Sequence, residues 1–188
     1  DGNPYRYQSL DDYIGVNGVN WQDETFNPTW SQDHSLSIMG GTEDTKYNAS
    51  FSRYIENGIF KNSGFNKTTG KFRLDQKLNK SLSFNFTVNY ALTNREGVGT
   101  SGDSGRFNML AQILSARPTG GLKLTDEELL ASAIDPEMLE SGESLAQVNP
   151  VKQTESVTNN KRAEMWSGNA SATWQIIKGL TFKTSGTY

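Results

Sequence analysis

Six stretches of the chain alternate apolar and polar residues at period two, the spacing that sends successive side chains to opposite faces of a β-strand. Residues 34–41 set Leu36 and Ile38 against Ser35 and Ser37, and residues 46–55 set Tyr47, Ala49 and Phe51 against Asn48, Ser50 and Ser52. Residues 70–78 set Phe72, Leu74 and Leu78 against Lys71, Arg73, Asp75 and Lys77. The cleanest run follows: Leu82, Phe84, Phe86, Val88, Tyr90 and Leu92 against Ser83, Asn85, Thr87 and Asn89. Trp166, Ala170, Ala172, Trp174 and Ile176 then alternate with Ser167, Asn169, Ser171, Thr173 and Gln175, and Leu180, Phe182 and Tyr188 with Thr181, Lys183, Ser185 and Thr187. Tight turns are expected at residues 42–45, 79–80 and 178–179, and long excursions at 56–69 and 95–161.

The polar faces repeat Ser, Thr, Asn and Lys, small hydrogen-bonding groups that suit a wet wall. The opposite faces carry aromatic and aliphatic residues in single file, which fits an outward band against lipid or one half of a sandwich. Strand length separates these. About ten residues at about 3.3 Å each, tilted near 45°, span roughly the 25 Å apolar band of an outer-membrane barrel, whereas strands are more often five or six residues. Short turns alternating with long loops also put all the short ones on one rim. The expected fold is all-β, an antiparallel up-and-down transmembrane β-barrel segment of about six strands from a larger barrel, with short helices in a long extracellular loop. Its parts are an extracellular loop leading into the barrel (1–33), four strands with short periplasmic turns (34–94), the long extracellular loop (95–161) and two further strands (162–188). The expected lipid-facing side chains are Leu36, Ile38, Tyr47, Phe51, Phe72, Leu74, Leu82, Phe84, Phe86, Val88, Tyr90, Trp166, Trp174 and Phe182. Tyr47 and Trp174 would mark the inner aromatic girdle, Tyr90 and Trp166 the outer one.

The period changes in the long loop. Residues 106–117 carry Phe107, Leu110, Ala111 and Leu114 at helical spacing, stopped by Pro118 and Gly120-Gly121. Thr125-Asp-Glu-Glu128 is a capping box leading into Leu129, Leu130 and Ala133, and Asp135-Pro136 pairs an N-cap with proline at the first helical position, with Gly142 as the stop. Near the start, residues 21–26 are compatible with one helical turn.

Composition narrows the chemistry. Only 34% of the 188 residues are hydrophobic although 11% are aromatic, and there are 18 glycines, which disfavours a helical bundle. The chain has no cysteine and one histidine, so disulfide scaffolds, cysteine zinc sites, iron–sulfur clusters, thiol nucleophiles and two-imidazole centres are excluded. The net charge of -3 and the lack of any Lys/Arg run make nucleic acid a poor partner. No stretch of roughly 20 apolar residues offers a membrane helix, a test that does not see membrane strands. The charges segregate. Residues 1–44 hold one basic and eight acidic groups, whereas 45–94, where strands alternate, hold eight and two.

Candidate chemical groups have plain structural readings. His34 beside Asp33 lacks an accompanying serine motif such as G-x-S-x-G and reads as a polar strand start. The acidic run Asp126, Glu127, Glu128, Asp135, Glu137, Glu140 and Glu143 lacks a calcium-loop pattern and reads as helix capping and solvated surface. Gly97-Val-Gly99 and the Gly/Ser-rich stretch to Gly105 lack the lysine of a phosphate loop. Asn48-Ala-Ser50, Asn85-Phe-Thr87 and Asn169-Ala-Ser171 match the glycosylation pattern but sit mid-strand. Phe60, Phe65 and Phe107 in the loops are candidates to stack on a ligand or partner. No residue is assigned to catalysis, to a cofactor or to a metal.

Taken in order, residues 21–26 (WQDETF), 34–42 (HSLSIMGGT) with 46–54 (KYNASFSRY), 56–59 (ENGI), 62–65 (NSGF), 72–77 (FRLDQK), Asn149-Pro150 and 176–180 (IIKGL) resemble the early barrel of SusC/RagA-type TonB-linked (TonB-dependent) outer-membrane transporters of Bacteroidota. The resemblance implies a 22-stranded barrel closed by an N-terminal plug in the cell outer membrane. It implies uptake of glycans or peptides, powered through the TonB complex, under a SusD-like surface lipoprotein. No plug, TonB box or carboxy-terminal aromatic strand is visible, so the chain reads as a barrel fragment, and outer-membrane lipid, the lipoprotein, TonB via the plug, and an oligosaccharide or peptide substrate are its implied partners. The alternative is a soluble secreted β-sandwich that binds carbohydrate. It predicts that the 82–92 and 166–176 apolar faces pack on each other.

Overall fold

The computed structural model describes residues 2–98, 108–142 and 147–188. These form two compact units: one from Trp30–Asn57, Gly64–Arg95 and Asn160–Tyr188, the other from Asp1–Thr29, Gly58–Ser63 and Glu96–Asn159.

The first unit is one antiparallel sheet of six strands in sequence order: β1 (Ser31–Gly41), β2 (Thr45–Asn57), β3 (Gly64–Lys77), β4 (Leu82–Glu96), β5 (Lys161–Ile177) and β6 (Leu180–Thr187). This is a meander, and each strand pairs with its sequence neighbours. The short turns are built by side chains that stand in for backbone acceptors. Thr42 Oγ1 accepts from the N–H of Thr45 at 3.2 Å, and Asn79 Oδ1 accepts from the N–H groups of Ser81 and Leu82 at 2.8 and 2.9 Å. Gly179 turns β5 into β6 at φ 89°, where a side chain would be strained.

The strands outrun the alternating patterns. β3 begins at Gly64, not at residue 70, because Asn57–Phe51 pair with Gly64–Gly70, so the excursion expected at 56–69 shrinks to residues 58–63. β1 gains three residues before His34, β4 runs to Glu96, and β5 starts at Lys161 and is 17 residues long. The sandwich expectation is corrected as well. The 82–92 and 166–176 stretches are adjacent strands of one sheet, with Leu82 opposite Trp174 and Tyr90 opposite Trp166, so their apolar faces lie side by side and cannot pack on each other.

The second unit is helical. After a 3-10 turn at Leu10–Tyr13 come α1 (Trp21–Thr25), α2 (Met109–Ser115), α3 (Asp126–Ala131), α4 (Pro136–Ser141) and α5 (Pro150–Ser156). The expected caps of α3 and α4 are present: Thr125 and Glu128 form both bonds of a capping box, Asp135 caps α4 ahead of Pro136, and Gly142 ends it at φ 70°. Among described residues α2 starts at Met109 and stops at Ser115, before Pro118, and α3 ends at Ala131, short of Ala133. Arg106, Phe107, Glu143 and the glycines from 99 to 105 lie outside the described residues. Val19, Trp21, Phe60, Met109, Ile113, Leu129 and Val151 make the core, with Phe26, Val98, Ala116 and Leu130 against it. Gly97 closes this unit on the 58–63 turn. At φ 79°, any Cβ there would lie 2.1 Å from the Asn62 carbonyl oxygen.

Candidate functional site

The sheet has two chemically different faces, and register decides which residue belongs to which. Pairing of Leu36 with Phe51, Ile38 with Ala49, Tyr47 with Leu74 and Ala49 with Phe72 puts these side chains on one face of β1–β3. Pairing of Leu82 and Phe182 with Trp174, and of Tyr90 with Trp166, does the same across β4–β6. A Cβ on Gly70 would lie 3.9 Å from that of Tyr90, so the two halves share that face. All the expected lipid-facing side chains therefore lie together. They are open rather than covered: Leu36 is 65% exposed, Ile38 58%, Trp166 58% and Phe182 55%. Leu74, Leu82, Phe84, Phe86, Val88 and Tyr90 are half-buried by their own neighbours. Tyr90 and Trp166 meet at 4.4 Å between ring centroids, and eight residues of β5 separate Trp166 from Trp174, about 26 Å at the usual rise. An open apolar face of this size on a protein marks contact with something other than water.

The opposite face is wet. The Ser52 and Thr69 hydroxyls bond at 2.7 Å, Asn89 Nδ2 donates to Ser167 Oγ at 3.2 Å and Asn169 Nδ2 to Thr187 Oγ1 at 2.9 Å. Arg73 Nε donates to Asp75 at 2.9 Å, and Asp75 also accepts from Asn85. His34 is on the other face from Asp33, as adjacent strand residues must be, and its ring contacts Gln32 at 3.2 Å. Asp33 does not orient it.

In the helical unit the acidic run is dispersed. Asp135 and Glu137 pair with Arg117 at 2.7 and 2.9 Å, with all three side chains at most 15% exposed, and Arg6 reaches Glu137 at 2.9 Å. The Arg117 guanidinium also lies 5.1 Å from the Tyr5 ring centroid. Glu128 is used in its capping box. Glu140 bonds Lys123, whose ammonium holds the Glu140 carboxyl below its usual range and is itself raised by that carboxylate. Among the described residues no three acidic or histidine side chains converge as a metal site.

The loop aromatics separate. Phe60 is 3% exposed and packs on Phe26 at 5.3 Å, so it belongs to the core and is closed to any ligand. Phe65 is not in a loop. It lies in β3 opposite Glu56, on the wet face, 6.2 Å from the Tyr54 ring. Phe107 falls outside the described residues. Sequence reasoning missed Asn149 as the hub of the helical unit. Its Oδ1 accepts from the N–H groups of Val151 and Lys152 while its Nδ2 donates to the carbonyls of Leu130 and Ser132 at 2.9 and 2.7 Å, so one side chain starts α5 and finishes α3. The signal was present: Asn149-Pro150 repeats the cap-then-proline order of Asp135-Pro136.

A six-strand meander of long strands, dry on one face and wet on the other, with short and long connections alternating, defines the class: a segment of an antiparallel up-and-down β-barrel. No family model matches the chain. Over 185 residues, 96% of the chain, it is 24% identical to TonB-dependent receptor P3 of Formosa agariphila, and over 78 residues it is 32% identical to TonB-dependent receptor SusC of Bacteroides thetaiotaomicron. It spans 18% of the first and 8% of the second. The RagAB peptide transporter superposes on 96% of the chain with a TM-score of 0.64 at 17% identity, and the RagAB peptide importer in its open-open state with 0.65 at 18%; the chain covers 20% of each. In sequence and in fold, the chain is similar to a segment of SusC/RagA-type TonB-dependent receptors.

Proposed function

We propose that the chain builds part of the wall and the extracellular loops of a TonB-dependent importer of glycans or peptides in the outer membrane. The carrying observation is the open apolar face with a hydroxyl- and amide-lined face behind it. In this reading the dry face of β1–β6 contacts outer-membrane lipid, with Tyr90 and Trp166 at one interface and Tyr47, Trp174 and Phe182 at the other. The wet face lines the lumen. Residues 1–33 and 95–161 belong to the extracellular side and contribute to the gate or to the surface for a SusD-like lipoprotein. TonB acts through a plug elsewhere in the receptor. No residue of the segment does covalent chemistry, so its work is to position, enclose and release.

The absence of cysteine gives a direct test in the full-length receptor, rebuilt without any cysteine elsewhere and placed in lipid vesicles. Val88 and Asn89 are neighbours on β4 with opposite facing. Val88→Cys should resist a water-soluble maleimide and accept a lipid-soluble one, while Asn89→Cys should show the reverse. Equal labelling of both by the water-soluble reagent would end the lipid-wall assignment.

A further inference from the structure

At the ends of β2 to β5 that lead into the long connections, five wet-face side chains collect: Tyr54, Phe65, Lys67, Arg95 and Lys161. Lys67 lies across from Tyr54, Phe65 across from Glu56, and Lys161 across from Arg95. The Tyr54 and Phe65 rings tilt at 58°, and the Arg95 guanidinium stands 5.8 Å from the Phe65 centroid. Arg95 and Lys161 therefore form a pair of like charges set directly opposite, an arrangement that weakens a sheet unless an anion joins it. Lys67, Arg95 and Lys161 are exposed, and none has a carboxylate at ion-pair distance among the described residues. The carboxylates of this end share the wet face but lie toward β1, away from Arg95 and Lys161: Glu56, accepting from the Tyr54 hydroxyl at 2.9 Å, and Asp33, across from Tyr54 on β1.

We propose that this end of the wet face binds an acidic oligosaccharide. The inference rests on the importer reading and names the substrate class for it. Tyr54 and Phe65 offer ring faces to the C–H face of one sugar, and Arg95 with Lys161 takes the carboxylate of that ring, Arg95 in the bidentate geometry its guanidinium favours. Glu56 accepts from a neighbouring sugar hydroxyl. Beyond them the Ser52–Thr69 and Asn89–Ser167 pairs continue a wall of groups that both donate and accept, which suits polyhydroxylated chains more than peptide backbones. Lys71, further along β3 on the same face, adds a positive charge, and beyond it Arg73 is taken up by Asp75.

The test uses the full-length receptor in detergent and titration calorimetry with tetramers of galacturonate, mannuronate and glucuronate, against maltotetraose and tetraglutamate. At least one uronate should bind tenfold or more tighter than either control, with affinity falling as salt rises. The Arg95→Gln/Lys161→Gln double variant should lose that tenfold preference and most of the salt dependence, and Phe65→Leu should weaken sugars of either charge. All three substitutions are at non-core positions, and an unchanged detergent-solubilised melting transition checks that the barrel is intact. The proposal fails if no uronate exceeds maltotetraose, if tetraglutamate matches the best uronate, or if the double variant keeps the preference. The cysteine labelling of Val88 and Asn89 reads the importer assignment with no ligand, so a receptor that passes it and ignores uronates loses this proposal alone.

Discussion

Trp21 and Trp174 belong to regions that solve the same problem in opposite ways. In the helical unit, Trp21 is 6% exposed, its indole N–H donates to the Arg117 carbonyl at 2.8 Å, and Met109, Ile113 and Leu129 share its core. In the sheet, Trp174 is 49% exposed on a face of aromatic and aliphatic neighbours that are themselves open, Trp166 and Phe182 among them. The helical unit gathers Val19, Trp21, Phe60, Met109, Ile113, Leu129 and Val151 into a core, as water requires of a packed domain. The sheet inverts this and pairs its polar groups on the other face. On the importer reading proposed above, the contrast means that one short chain serves two solvents, water around the core of the helical unit and lipid on the dry face of the sheet.

Truncating the same residue type in both regions breaks the comparison most sharply. Trp21→Ala should cost about 3–5 kcal/mol, because it empties a packed site and orphans the Arg117 carbonyl. Trp174→Ala should cost much less in detergent. Limited proteolysis within residues 2–29 and 108–157 of the full-length receptor checks this: cleavage should accelerate strongly for Trp21→Ala and hardly for Trp174→Ala, and equal acceleration would refute the two-solvent picture. Next in size is a charge on the dry face. Phe86 lies midway between Leu82 and Tyr90 on β4, where arginine should cost about 2–4 kcal/mol in a bilayer. Phe86→Arg should therefore lower the urea midpoint of the vesicle-bound receptor, whereas Thr87→Arg on the wet face should not. A similar drop for both would show that the faces do not differ.

Much of this was legible in advance, for a physical reason. Where residues 82–92 alternate bulky apolar with small polar groups, the pattern itself encodes both strand and facing, and register then assembled every expected lipid-facing side chain on one surface. The pattern failed where pairing is carried by backbone alone. Asn66, Lys67, Thr68 and Thr69 are polar on both faces, so their period is invisible, yet their backbones pair with β2 through residues 52–55. Phe60 and Phe65 were indistinguishable as loop aromatics. What separates them is that Gly64 starts a strand while Phe60 meets Phe26, a partner 34 positions earlier in the chain. The Arg117 cluster was hidden likewise, because Tyr5, Asp135 and Glu137 come from distant segments.

The smallest expected effect sharpens the comparison from the water-facing side. Lys123 and Glu140 form an exposed pair in the helical unit, with Lys123 also 4.6 Å from the Tyr5 ring centroid. The Glu140 carboxyl is lowered chiefly by its hydrogen bond with Lys123, so its contribution is complete above its ordinary 4.5 and is lost as pH falls through the lowered value. Lys123 is raised chiefly by the same bond, so its contribution is complete below its ordinary 10.5 and is lost as pH rises through the raised value. Between those limits the pair adds no slope. Solvent screening keeps the effect slight, and added salt should erase it. Glu140→Gln should accordingly reduce the acid-side fall in protease resistance of residues 108–157 at low salt and leave neutral pH almost unchanged. The dry face, where no such pair is exposed to water, should show no matching shift in the labelling of Val88→Cys. An acid limb identical to that of the unaltered receptor would remove this bridge from the list of interactions that hold the helical unit.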